Sequence, residues 1–114
     1  MSLTQHGLLT IGAFAQAAQL STKALRIYSE LGLLVPSYID PETGYRYYHT
    51  NQLQQARLIR LLRQIDMPLL TIQQVLVAAP ADAEPIVRDY WRTRETHMTQ
   101  ARQMVQNTAR LVPP

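Results

Sequence analysis

The 114-residue chain has no cysteine. That one absence excludes disulfides, thiolate nucleophiles, cysteine redox sensing and thiolate-bound zinc or copper. Glycine is scarce, at four residues, and no GxGxxG or GxxxxGK[ST] string offers to cradle a phosphate. No apolar run approaches the ~20 residues of a membrane-spanning helix, so no membrane partner is expected. The N-terminus lacks a basic patch followed by an apolar stretch, the pattern of an export signal, and the cytoplasm is the expected location. His6, His49 and His97 lie far apart with no carboxylate-rich motif beside them. No metal site and no cofactor are expected. No nucleophile–base or paired-carboxylate arrangement is present, which argues against an enzyme.

What is there is an ordinary globular composition, 46% apolar, in a length that suits one domain with an extension. The charge is unevenly placed. Residues 1–65 carry six basic residues against three acidic, and residues 66–114 carry five against five. All of the net +3 therefore lies in the first part. Ten of the eleven basic residues are arginine, the side chain suited to bidentate contact with phosphates and base edges. A solvated surface and a polyanion-binding surface are equally compatible with charge alone.

Periodicity divides the chain. Residues 1–8 show no pattern and read as a loose arm. Ile11, Phe14, Ala15 and Ala18 recur at helical steps behind Thr10, a suitable N-cap. Ser21 can cap a second helix over Thr22 to Leu31, with Ala24, Leu25, Tyr28 and Leu31 on one face. Gly32 stands where a helix end wants a left-handed residue. Two short helices so joined match a helix-turn-helix. Asp40-Pro41-Glu42-Thr43-Gly44 is turn chemistry between β-branched and aromatic flanks, which predicts a two-stranded ribbon ending in Tyr45-Arg46-Tyr47-Tyr48. A third helix is expected from Thr50, as N-cap, to about Ile65, and a fourth over about 69–78. Ala79-Pro80-Ala81 reads as a linker. The expected core is Ile11, Phe14, Leu25, Leu34, Leu53, Ile59, Leu62 and Ile72.

From Asp82 to Val112 the sole proline is Pro85, placed here in a first helical turn. Three columns then repeat every seven residues. Trp91, Met98, Val105 and Val112 form one. Tyr90, His97, Met104 and Leu111 form the second. Val87, Arg94, Ala101 and Thr108 form the third. A sustained heptad is a coiled-coil seam. About 28 residues give a rod of about 42 Å, too long to fold wholly back on a small globule. Pairing with a second copy is the favoured reading. Tyr90 and Trp91 suit that seam better than an effector pocket, and His97 is a seam residue rather than a ligand.

The order and wording of these elements resemble the MerR (mercury-resistance regulator) family of bacterial transcription factors. The strings that carry the resemblance are Thr10-Ile11-Gly12, Leu20-Ser21-Thr22-Lys23-Ala24-Leu25-Arg26-Ile27-Tyr28 and Gly32-Leu33-Leu34. The wing string is Asp40-Pro41-Glu42-Thr43-Gly44-Tyr45-Arg46-Tyr47-Tyr48. Leu61-Leu62-Arg63, Pro68-Leu69 and Ile72 follow. The resemblance covers 9–78 in detail and 82–112 as a coiled-coil pattern. It implies a mainly α fold: a winged helix-turn-helix of four short helices and a two-stranded β wing (helix-turn-helix about 12–31, wing about 35–48), followed by a long dimerisation helix. Departures are Ile27 where an aromatic is frequent, Ser37-Tyr38-Ile39 where a basic residue is frequent, Asp66 where glycine is common, and Leu70 where a polar residue is usual.

The resemblance further implies a homodimer, joined through an antiparallel coiled coil, that binds double-stranded promoter DNA. It distorts an over-long spacer between promoter elements, with RNA polymerase as a further partner. The dimer seam is assigned to Val87, Tyr90, Trp91, Met98, Ala101, Met104 and Val105. Thr22, Lys23 and Arg26 lie on the polar side near the start of the second helix, the part that reaches base edges. Tyr28 can sit in the core with its hydroxyl toward a phosphate. Arg46 is the firmest wing contact, on the backbone. Tyr45 and Tyr47 point away from it and contain a further backbone contact, with Tyr48 packed on the third helix. Arg57, Arg60 and Arg63, at i, i+3 and i+6, read as a wet helix face rather than a DNA flank. The effector is expected to be organic and bound by a further C-terminal domain, since metal- and redox-responsive members use cysteine. The alternative function is a MerR-like protein-interaction module, binding a chaperone or phage partner without DNA.

Overall fold

The structure is a computed structural model that describes residues 7–114. The chain divides into two units, one up to Leu76 and one over Val77–Pro114. The first contains β1 (Leu8–Thr10), α1 (Ile11–Ala18), α2 (Thr22–Glu30), β2 (Tyr38–Ile39), β3 (Arg46–His49) and α3 (Leu53–Gln64); α4 (Leu69–Val77) begins in it.

Caps define the helix-turn-helix. Thr10 Oγ1 accepts from the Ala13 N–H at 3.1 Å and Ser21 Oγ from the Ala24 N–H at 3.0 Å, as the sequence predicts. At the end of α2, Gly32 takes φ +74°. The Leu33 N–H then donates to the Tyr28 carbonyl at 2.8 Å and the Gly32 N–H to that of Ser29 at 3.1 Å. This pair of bonds is a Schellman motif. The same bonding closes α1 at Gln19 (φ 58°) and α3 at Asp66 (φ 59°), where no glycine relieves the left-handed geometry.

The sheet has three antiparallel strands in the order β1-β3-β2. Leu9 stands opposite Tyr48 and Thr10 opposite Tyr47; on the other side Tyr38 faces Tyr47 and Ile39 faces Arg46. The loose arm expected over 1–8 is therefore corrected at its end. Leu8 is paired, and the Gly7 carbonyl accepts from the Thr50 N–H at 2.8 Å. A three-residue strand is too short to show alternation, so only its partner reveals it. The rest of that arm lies outside the described residues. A third strand also supplies the support that an isolated ribbon lacks.

The core comprises Phe14, Leu25, Leu34, Ile59, Leu62 and Ile72, with Leu33, Tyr48, Ala56 and Met67 also buried. Ile11 and Leu53 are half-buried, and Leu31 is exposed. Tyr48, expected on α3, stacks on Phe14 of α1, ring centroids 4.6 Å apart. Thr50 is not the cap of the third helix. Gln52 holds that position, without a side-chain cap, and His49 caps the turn before it: the His49 Nδ1 accepts from the Asn51 N–H at 3.0 Å, and Gln52 Oε1 accepts from the His49 N–H at 2.8 Å. A short 3-10 turn over Thr50–Gln52 then leads into α3. Gln52 and Gln55 donate to the carbonyls of Val35 and Leu33 at 2.6 and 2.7 Å, which ties the segment between α2 and the wing to α3.

The second unit is α5 (Pro80–Ala109), about 45 Å long at 1.5 Å per residue. The expected linker is absorbed into it: Pro80, not Pro85, occupies the first turn, and Pro85 lies inside the helix. Pro80 presets the helical φ and Ala79 caps in extended geometry. No residue of α5 is buried. Exposed Arg88–Glu84 and Arg92–Asp89 pairs decorate it at 2.6 and 3.4 Å.

Candidate nucleic-acid interface

The Ser21 cap and the apolar anchors Leu25 and Tyr28 fix the rotation of α2. Thr22, Lys23 and Arg26 are thereby turned outward and exposed. The wing is fixed separately. Asp40 Oδ1 accepts from the N–H groups of Glu42 and Thr43 at 2.8 and 3.3 Å, and Gly44 turns the chain at φ +75°. The turn delivers Tyr45 and Arg46 to the surface, Tyr45 being 66% exposed.

These two elements meet. A groove of about 520 Å³ is lined by Arg26 and Glu30 of α2, by Gly44, Tyr45, Arg46 and Tyr47 of the wing, and by Thr10 and Ile11. Four of the seven residues singled out on α2 and the wing thus share one groove: Arg26, Tyr45, Arg46 and Tyr47. Thr22 and Lys23 are exposed outside its lining. Tyr28 and Tyr47 are only 8% and 9% exposed. Tyr47 lies beside Tyr38 on β2, ring centroids 5.9 Å apart. Tyr48 lies deeper: burial pushes its phenol above the ordinary 10.0, and the nearby Arg46 charge offsets this in part.

Four lining residues, Thr10, Ile11, Glu30 and Gly44, were not among the expected site residues. Thr10 and Ile11 reach the groove because β1 pairs with β3. Glu30 sits one helical turn after Arg26, a spacing that is visible in the sequence. What the sequence does not show is that the wing closes over both. Among the described residues, no group of His, Asp and Glu could hold a metal ion, and no helix is long and apolar enough to cross a membrane.

A family pattern described as MerR HTH family regulatory protein matches residues 9–79. The chain belongs to the MerR family. This family and the curated relatives are transcription regulators, not enzymes. The chain is 43% identical over 68 residues to the transcriptional regulator BrlR of Pseudomonas aeruginosa. That stretch covers 60% of this chain and 25% of BrlR, and the chain covers 22% of the Bacillus subtilis multidrug-efflux transporter 1 regulator, so it spans about a quarter of the length of these two relatives. Among solved structures, the N-terminal part of the Bacillus subtilis multidrug transporter activator, MtaN, superposes with a TM-score of 0.79 at 21% identity. The match covers 90% of this chain and 96% of that one, and it establishes the winged helix-turn-helix fold with a long C-terminal helix. EcmrR, seen in an EcmrR–DNA complex within EcmrR-RPo, matches with a TM-score of 0.64 at 31% identity, over 90% of this chain and 37% of that one.

Proposed function

We propose that this MerR-family chain binds double-stranded promoter DNA as a homodimer in the bacterial cytoplasm. It controls transcription there by distorting the spacer that RNA polymerase must read. The observation that carries the reading is the shared groove of Arg26 and Arg46. A recognition helix and a wing, each contributing a guanidinium to one concave surface, suit a duplex better than either alone. EcmrR, which is bound to DNA, supports the same reading. Thr22, Lys23 and Arg26 enter the major groove at the start of α2, and Arg26 reads a base edge. Arg46 and Tyr45 hold the backbone. Tyr28 and Tyr47, largely packed, present no more than their hydroxyl edges. The domain over 9–78 is the reading head, and residues 82–112 bring two heads together. Val87, Tyr90, Trp91, Met98, Ala101, Met104 and Val105 form the seam. The exposure of Trp91, Met98, Met104 and Val105 on a helix with no buried residue supports a covering partner. The lack of cysteine favours an organic effector.

The test is selection from a randomised duplex library at two salt concentrations. Wild type should select an inverted repeat, since a two-fold dimer reads two half-sites. Arg46→Ala should weaken all sequences alike and lower the salt slope by about one ion for each phosphate it no longer neutralises. Arg26→Ala should cost about 1–3 kcal/mol and relax one position in each half-site. Selection without an inverted repeat, or an Arg46→Ala protein that binds as tightly as wild type, would turn the reading to a protein-interaction module.

A further inference from the structure

We propose that Glu30 sets the sequence specificity of the α2–wing groove: its carboxylate keeps backbone phosphate away from Arg26 and so reserves that guanidinium for a base edge. The inference rests on the DNA-binding reading above and adds to it a specificity-determining residue.

The groove holds two guanidiniums, Arg26 and Arg46, and among its described lining residues one carboxylate, Glu30. A surface built only to attract a polyanion has no use for that carboxylate. The fold does not call for it either. Glu30 is exposed. It is the last residue of α2, where the helix dipole is negative and a carboxylate is unfavourable. Arg26 precedes it by one helical turn, a spacing that often pairs such side chains. Among the described residues, no ion pair joins the two. Both side chains therefore stay open to whatever enters the groove.

Arg26 has two ligands to choose from on a duplex. Its planar fork fits the O6 and N7 acceptors of guanine, and it fits two oxygens of a phosphate equally well. The phosphate carries a full negative charge, whereas the guanine edge offers only the partial charges of neutral acceptors. A carboxylate in the same groove tells them apart. It repels the phosphate, more strongly where water is displaced from the groove, and acts only weakly on the guanine edge. Arg46, on the backbone in the reading above, brings phosphate oxygens to this groove. Glu30 keeps Arg26 from joining it there. The carboxylate thus weakens binding to every duplex, and weakens it most where no guanine is offered. A repulsive group raises discrimination in that way. A glutamate can also read cytosine N4 itself. Glu30, however, lies at the opposite end of α2 from the N-terminal turn that reaches base edges.

The test uses the full 114-residue chain, an unselected duplex and the duplex that the wild type selects. Glu30→Gln keeps the size and removes the charge. It should bind the unselected duplex about three- to ten-fold more tightly and steepen its salt dependence by roughly 0.9 for each phosphate that Arg26 gains. It should also flatten the preference at one position in each half-site. Its urea midpoint should not fall, since α2 loses an unfavourable end charge. Glu30→Asp, which keeps the charge, should keep the preference. In an Arg26→Ala background, Glu30→Gln should flatten nothing further and leave the salt slope alone. If the wild type selects a sequence but Glu30→Gln leaves the preference intact, or fails to tighten the unselected duplex, the assignment is overturned and the DNA-binding reading stands. A preference that Glu30→Gln still flattens in the Arg26→Ala background also overturns it, because Glu30 then reads a base itself. A wild type that binds no duplex overturns the DNA-binding reading itself.

Discussion

Tyr48 offers a sharp test of the packing under the wing. Its side chain is fully buried and stacks on Phe14 with an interplanar angle of 20°. Its hydroxyl is out of solvent and lacks a hydrogen-bond partner. A buried hydroxyl in that state costs about 1–3 kcal/mol. Tyr48→Phe keeps the ring and removes the cost, so it should stabilise the fold by about 1 kcal/mol, read as a higher urea midpoint at unchanged slope. Tyr48→Ala removes the ring as well and should destabilise by about 3–5 kcal/mol. Alkali provides a second axis. Burial raises the folded phenol above 10.0, the unfolded value, despite the offset from Arg46. The folded state thus holds its proton longer than the unfolded state does. Tyr48's contribution to stability is intact below 10.0 and falls as pH rises from there through the folded value. Tyr48→Phe should therefore lose less stability than wild type between neutrality and about pH 11. A Phe variant less stable than wild type by more than about 0.5 kcal/mol at neutral pH would mean that the hydroxyl has found a partner, and the reasoning would be refuted.

Three further outcomes follow from the same geometry. Leu25→Ala, in the tight centre of the helix-turn-helix, should cost about 2–5 kcal/mol in urea melts; a loss below half of one kcal/mol would mean that α2 is rotated from the described register. The pair Trp91→Glu and Met98→Glu should make a dimer monomeric in analytical ultracentrifugation, because charges placed in an apolar seam stay hydrated only when it is open. Glu30→Gln should tighten DNA binding several-fold, and more for unselected than for selected duplexes, since it removes a carboxylate from the groove shared by Arg26 and Arg46. Equal or weaker binding of unselected DNA would show that Glu30 does not face the backbone.

The helical part of the fold was readable because its signals are local. Thr10, Ser21 and Gly32 act on the backbone three residues or fewer away, and the sequence places them correctly at the ends of α1 and α2. The wing turn was equally local, since Asp40 defines it through its carboxylate and its carbonyl, which accept from the Glu42 and Gly44 N–H groups. β1 was not readable, because Leu8 to Thr10 gain their strand character from Tyr47 to His49, almost forty residues on. His49 was missed as a cap for a chemical reason. Imidazole Nδ1 accepts an N–H only in the matching tautomer, so histidine carries weaker cap information than serine or threonine. The start of α5 was missed because two prolines compete for one first turn. Pro80 suits it equally well, and the heptad pattern begins only after both.

The candidate interface divides along the same line. Lys23, Arg26 and Arg46 stood out by residue type within recognisable motifs, so their assignment needed no third dimension. Glu30 did not stand out, and Arg57 and Arg60 read only as a wet helix face, because each belongs to a surface made by two separate stretches of chain. Glu30 becomes part of a basic groove only when the wing folds beside α2. Arg57 and Arg60 acquire a concave setting only when the end of α1 packs beside α3, while Arg63, three residues on and alike in sequence, is spent on the Met67 carbonyl. A row of identical residues at helical spacing thus divides into one that closes its own helix and two that face a cleft. The division is set by the Schellman turn at Asp66, which folds the chain back under Arg63 and brings the Met67 carbonyl within reach. Arg60 and Arg57, about one and two turns earlier on α3, have no such turn beside them and line the cleft instead.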